Sequence, residues 1–253
     1  VWYLLYIDRL ARNNICRMII DKQTDFLEGQ LLLFDKPLYW TSFDLVKKVK
    51  NIIRNTYAYK KIKVGHAGTL DPLASGLMIV CTGKYTKKIN ELQDRNKEYI
   101  ATFHLGETTP SFDLETEVDG RFETGHINRE MVGKALEYFE GEYEQVPPVF
   151  SAKNINGRRA YDYARKGIDI KMEARKVFFY ELELVDFDLP LVSLRILCSK
   201  GTYIRSFARD FGKYLDSGAY LSQLKRTAIG EYKLDDAMQL TFFEQLMNSF
   251  RES

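Results

Sequence analysis

Two alternating runs late in the chain, 177–187 and 191–198, are separated only by Asp188-Leu189-Pro190. Alternation marks half-buried strands, and a link this short joins neighbouring strands only as an antiparallel hairpin. The fold must therefore hold an antiparallel sheet. Further strands are expected over 30–34, 76–83, 98–105 and 222–229, with an extended stretch over 147–155. Helical spacing appears between them. Leu45, Val46, Val49, Ile52 and Ile53 follow a cap at Thr41 or Ser42, and Ile204, Phe207, Ala208, Phe211 and Leu215 mark a helix over 202–215. Other helices are expected over 128–140, 157–166 and 235–250, with a basic helix just after residue 83. Residues 64–76 read as irregular and 106–126 as an acidic loop. Strands and helices mix without regular βαβ alternation, so the class is α+β.

Net charge is +2, but it is unevenly spread. Residues 107–144 hold 11 acids and 3 bases, leaving 34 bases and 24 acids elsewhere. That asymmetry fits a basic face for a polyanion with an acidic region turned away from it, and equally fits ordinary patchiness. Cys16, Cys81 and Cys198 are far apart and form no C-x-x-C pair. Neither a zinc site nor a disulfide framework is indicated, and a reduced, cytoplasmic setting is expected. No apolar run reaches the ~20 residues a membrane span needs. Residues 1–17 precede Met18 and read as an alternative-start extension or a non-native leader.

The stretch that can carry chemistry is Gly65-His66-Ala67-Gly68-Thr69-Leu70-Asp71-Pro72-Leu73-Ala74-Ser75-Gly76. Its small residues let a ligand approach the backbone closely. Pro72 keeps Asp71 out of helical geometry, leaving one acid in an otherwise uncharged loop. A carboxylate so placed serves as nucleophile or base; an Asp-Pro turn between strands uses the same residues. Gly83-Lys84 is followed by Tyr85, so no phosphate-binding loop is formed, and neither G-x-G-x-x-G nor H-E-x-x-H occurs. An enzyme here is expected to need no cofactor and no metal.

GHAGTLDPLASGLMIVCTGKYTK strongly resembles the catalytic motif of the TruB family of tRNA pseudouridine synthases. Three further runs resemble that family's other motifs, in its order: LLLFDKPLYWTSFDLVKKVK, QVPPVFSAKNINGRRAYDYARKG and CSKGTYIRSFARDFG. Together they cover roughly residues 30–230. One departure is Tyr39, where the family usually has glycine.

The resemblance implies a mixed, largely antiparallel central sheet flanked by helices, with an active cleft across it. It implies a catalytic role for Asp71 and a base-displacing role for His66. Tyr99 would stack on the target base, Tyr203 and Leu224 would line the pocket, and Arg205 would pair with Asp71. Arg205 also stands in the first turn of its expected helix, near the third position, where a cation opposes the helix dipole and calls for an anion nearby. The implied substrate is the T stem-loop of tRNA, modified at uridine 55 after base flipping, by a protein acting as a monomer. Lys84, Lys87, Lys88, Arg158, Arg159, Arg165 and Lys166 are candidates for phosphate contacts. The expected organisation is a lead-in over 1–29, a catalytic domain over 30–230 and a carboxy-terminal helix over 231–253, with no PUA domain. Two rival readings are a guide-RNA-dependent synthase of the dyskerin type and a non-catalytic RNA chaperone.

Overall fold

The computed structural model describes residues 20–150, 154–155, 158–159 and 172–251. The chain divides into two units, Val1–Arg95 with Lys225–Ser253, and Asn96–Leu224.

In the first unit, strand β1 (Leu31–Lys36) runs antiparallel to β3 (Ala74–Thr82), with Leu33 opposite Ile79. A three-residue strand, β2 (Val64–His66), pairs with the far end of β3. The 64–76 segment is thus irregular only in its middle. Both β1 and β3 read as continuous apolar runs because both faces are covered. Phe34, Met78 and Val80 pack under helix α1 (Ser42–Tyr57) with Leu45, Val49 and Ile53. Leu33, Leu77, Ile79 and Cys81 pack on the opposite face with Leu92 and Ile229. Each fully buried Phe or Leu side chain contributes on the order of 2 kcal/mol. Helix α1 starts with a capping box in which Thr41 accepts from the Asp44 N–H and the Asp44 carboxylate accepts from Thr41.

The basic segment after β3 is a 3₁₀ turn (Gly83–Lys88) that leads into the short α2 (Ile89–Gln93). Near the carboxy terminus, a short strand β13 (Tyr232–Lys233) and a 3₁₀ turn (Leu234–Asp236) precede α5 (Leu240–Ser249). The expected helix over 235–250 starts late because Met238 is held extended beside β1. Its N–H donates to the Leu33 carbonyl, and its carbonyl accepts from the Asp35 N–H.

In the second unit, β4 (Lys97–Leu105) pairs with β11 (Leu191–Cys198), β11 with β10 (Arg175–Asp188), and β10 with β7 (Gly141–Gln145), all antiparallel. The hairpin over 175–198 is present as expected. Helices α3 (Arg129–Phe139) and α4 (Ile204–Tyr214) supply Phe139, Phe207 and Phe211, which meet Phe103 and Phe179 in one aromatic cluster with centroids 4.9–5.8 Å apart. The 106–126 loop carries a small ladder of β5 (Glu107–Thr108) and β6 (Gly120–Arg121). Strand β12 (Ala219–Ile229) begins in this unit and ends in the first.

Residues 154–155 and 158–159 form paired two-residue strands, β8 and β9. Arg158 and Arg159 are thus extended rather than helical, and the rest of the expected 157–166 helix lies outside the described residues. The class is α+β with a largely antiparallel sheet, as the sequence implied. No helix among the described residues is long and apolar enough to cross a membrane.

Candidate active site

The Asp71 loop lies wholly in the first unit, between β2 and β3, and three sets of hydrogen bonds hold it. On the amino-terminal side, the buried Ser42 hydroxyl donates to the Leu70 carbonyl at 2.9 Å and accepts from the Leu70 N–H at 2.8 Å. The residue before Asp71 is thereby fixed to the start of α1. On the other side, the Pro72 carbonyl accepts from the Tyr39 N–H at 2.8 Å, and the Asp71 carbonyl accepts from the Ala74 N–H at 3.0 Å. The third clamp is Arg226, whose side chain is fully buried. Its Nε donates to the Leu77 carbonyl at 2.8 Å and its Nη2 to the Gly68 carbonyl at 3.2 Å. One guanidinium therefore ties together the chain on either side of the half-buried Asp71. Gly76 is required for this approach: at φ 104°, a Cβ there would lie 2.3 Å from the Arg226 carbonyl oxygen.

Two basic groups bear on this loop. Lys36 is completely buried, and its Nζ donates to the carbonyls of Pro37 (2.9 Å) and Trp40 (2.6 Å). Burial pulls its pKa down to about 8, and the nearby Asp71 carboxylate opposes that fall. It stays charged at neutral pH, so Asp71 has a desolvated cation beside it. The second basic group is His66, at the end of β2. Burial and then the charge of Arg226 hold its pKa below the usual histidine range, so its imidazole is neutral at pH 7. Its Nδ1 is buried and finds no hydrogen-bond partner among the described residues.

The remaining candidates lie in the second unit. Tyr99 is buried on β4, opposite Ile196. Tyr203 is the N-cap of α4, which starts at Ile204 rather than at Thr202 because Gln145 engages the Tyr203 backbone. The Gln145 side chain accepts from the Tyr203 N–H at 2.8 Å and donates to its carbonyl at 3.1 Å. The Arg175 guanidinium lies over the Tyr203 ring, 4.5 Å from its centroid. Arg205 is the second helical residue and is 5% exposed. The anion its position calls for includes Asp113: Nη1 lies 3.5 Å from the Asp113 carboxylate, itself buried. The acidic loop is therefore not simply turned away from the basic side chains. Leu224, half-buried on β12, is the last residue of this unit.

Sequence reading missed Lys36, Arg226, Asp113, Gln145 and Arg175. Lys36 passes for a strand terminator beside Pro37, and Arg226 for a surface base next to Lys225. Among the phosphate candidates, Lys84 is ion-paired with Glu28 at 2.6 Å, and Lys88 lies over the Tyr85 ring at 4.7 Å. Lys84 and Lys87 line an open groove of about 810 Å³ together with Lys50, Lys61 and Lys63. The side chains of Arg158, Arg159, Arg165 and Lys166 lie outside the described residues.

The chain is similar to known proteins. Residues 54–204 match the family described as TruB family pseudouridylate synthase (N terminal domain). The tRNA pseudouridine synthase B of Phocaeicola vulgatus is 54% identical over 224 residues, covering 88% of this chain and 95% of the relative. That of Parabacteroides distasonis is 56% identical over 214 residues, covering 85% and 91%. A solved Cbf5-Nop10-Gar1 complex contains a chain that is 27% identical with a TM-score of 0.66; it covers 89% of this chain, which spans 56% of that one.

Proposed function

The chain belongs to the TruB family of pseudouridylate synthases and is an RNA pseudouridine synthase acting on tRNA, and from that premise we propose that it isomerises uridine 55 of the T loop, with Asp71 as the catalytic group. The observation that carries this reading is the 54% identity over 95% of a tRNA pseudouridine synthase B. In support stands a loop that holds one carboxylate by hydrogen bonds on both sides, next to a buried cation.

The reaction breaks the N1–C1′ bond, turns the base and rejoins it through C5. Atoms balance within one nucleotide, so the isomerisation itself consumes no cofactor. The target is stacked in a folded loop and must be flipped out, at a cost of a few kcal/mol. Tyr99 as a stacking partner would recover about 1–3 kcal/mol of that cost. His66, neutral and partly buried, suits insertion into the space the base vacates, since a charged imidazolium would have to be desolvated there. Asp71 either attacks the ribosyl uridine covalently or removes a ribose proton to give a glycal. Both routes need the carboxylate ionised in a dry pocket, which a neighbouring cation favours; Lys36 supplies one, and we assign Arg205 as a second. Tyr203 and Leu224 complete the base pocket in this scheme. Tyr99 is our candidate for removing the C5 proton. Residues 30–230 would form the catalytic domain of a cytoplasmic monomer.

The test is to incubate the purified protein with a T stem-loop transcript and no other RNA, then map pseudouridine by carbodiimide adducts and mass spectrometry. One pseudouridine at position 55 is expected. A product formed only when a guide RNA is added would favour the dyskerin-type reading. Improved tRNA refolding with no pseudouridine at all would favour a chaperone.

A further inference from the structure

Beside the Asp71 loop, the surface carries aromatic side chains that folding does not use. Tyr39 is 75% exposed and Phe43 69%. Tyr39 also holds a left-handed backbone at φ 66°, a conformation that glycine adopts without strain. An aromatic side chain therefore stands where the backbone favours having none. Its N–H is bonded to the carbonyl of Pro72, the residue after Asp71, so the ring is carried next to the reactive loop. Phe43 lies in the first turn of α1, and the exposed Lys47 stands four residues on, over the same face. A cavity of about 380 Å³ opens beside Tyr39 and Lys47, lined also by Trp40, Asp44, Lys48 and Asn51, with Phe43 outside its lining. Two of its charges are already engaged: Asp44 caps α1 through Thr41, and Lys48 pairs with Glu244. Lys47 is exposed, and its charge acts on Asp44.

We propose that Tyr39 and Phe43 form a stacking platform for an unpaired base of the substrate RNA flanking the flipped uridine, with Lys47 at its phosphate. Two exposed rings and a lysine match the chemistry of one nucleotide, which presents a π-face and an anion together. The Tyr39–Pro72 hydrogen bond holds Tyr39 next to the residue after Asp71, and the Ser42–Leu70 bonds hold the turn that carries Phe43 to the residue before it, so both rings flank the reactive loop. This inference rests on the tRNA reading above and adds two binding residues to it.

The experiment compares the unaltered protein with Tyr39→Gly, Phe43→Ser and the double variant on the T stem-loop. It measures kcat, KM, and Kd across a salt series, with thermal melting as the folding check. The double variant is expected to raise KM and Kd about tenfold, with kcat held within about twofold. Its slope of log Kd against log salt should not change, whereas Lys47→Ala should make that slope shallower by about 0.7. Phe43→Tyr should bind like the unaltered protein. Unchanged Kd and KM in the double variant would overturn the proposal, as would a loss confined to kcat. If the double variant melts below the assay temperature, Tyr39→Gly alone decides by the same criteria, because it relieves backbone strain. An unaltered protein that makes no pseudouridine would sink the functional reading before any variant is compared.

Discussion

The Asp71 loop in the first unit is held by side chains that bind backbone carbonyls: Ser42 to Leu70, Arg226 to Gly68 and Leu77, Lys36 to Pro37 and Trp40. In the second unit, Gln145 likewise binds the Tyr203 backbone, but the Tyr203 ring and the Arg205 guanidinium also meet side chains, Arg175 and Asp113. The first arrangement fixes a path of the chain, and the acid travels on it. The second adds direct holds on the Tyr203 ring and the Arg205 guanidinium, each by a partner far away in sequence. The reactive carboxylate should therefore be replaceable with the loop's backbone bonds intact, at a smaller cost than the loss of the arginine's partner.

Asp71→Asn tests the first half of that contrast and carries the largest expected effect. It keeps the shape of the side chain and every backbone bond of the loop. Pseudouridine formation should fall by at least about 10³-fold, while tRNA affinity is retained and stability falls by no more than about 2 kcal/mol, the cost of taking the nearby carboxylate from buried Lys36. Equal losses in melting temperature and turnover would show that the carboxylate helps to build the loop.

Asp113→Ala tests the second half. The Arg205 guanidinium is buried, and removing the Asp113 carboxylate weakens the compensation of its charge, at a cost of up to about 3–5 kcal/mol. Urea denaturation should show the midpoint falling accordingly. The Asp113 carbonyl, which accepts from Thr109 and Ser111, is untouched by the substitution. A midpoint unchanged from the unaltered protein would mean that the Arg205–Asp113 contact does not compensate that charge.

Lys36 sharpens the comparison through pH. Its pKa is about 8 in the folded chain against 10.5 for an unperturbed lysine. Between those values the unfolded chain binds more protons, so this group makes stability rise with pH. The penalty for keeping it charged is complete below pH 8 and is relieved as pH climbs toward 10.5. Melting temperature followed from pH 7.5 to 10 should therefore show an upward component that disappears in Lys36→Met. The same variant should lose turnover at neutral pH, because Asp71 loses its buried cation. If Lys36→Met keeps the upward component, the titrating group is another one.

The contrast also explains what could be read from the sequence. The hairpin over 175–198 and α1 with its Thr41 cap were legible, because period and cap chemistry are local; Asp71 stood out through the motif it shares with the family, since an Asp-Pro step alone fits an ordinary turn equally well. Arg226 and Lys36 were not: a base beside a proline or in a strand looks solvated until the carbonyls it reaches are placed. Asp113 was hidden for a different reason. It is one of 11 acids in its region, and nothing local separates the buried one from the rest. The late start of α5 likewise depends on a non-local bond, from Met238 to Leu33.

Tyr39 carries the smallest effect and tests the backbone side of the comparison alone. A left-handed non-glycine residue costs about 1–2 kcal/mol, and glycine gives back part of that through its freer unfolded chain, about 0.5–1 kcal/mol. Tyr39→Gly should therefore stabilise the protein by about 0.5–1 kcal/mol, or about 1–4 °C in melting temperature. Tyr39→Ala supplies the control, since it removes the same ring but keeps a Cβ at φ 66°. If alanine stabilises as much as glycine does, the exposed ring is what costs stability there. If only glycine does, the cost lies in the turn that delivers the Tyr39 N–H to Pro72, and the loop around Asp71 is held at the expense of its own backbone.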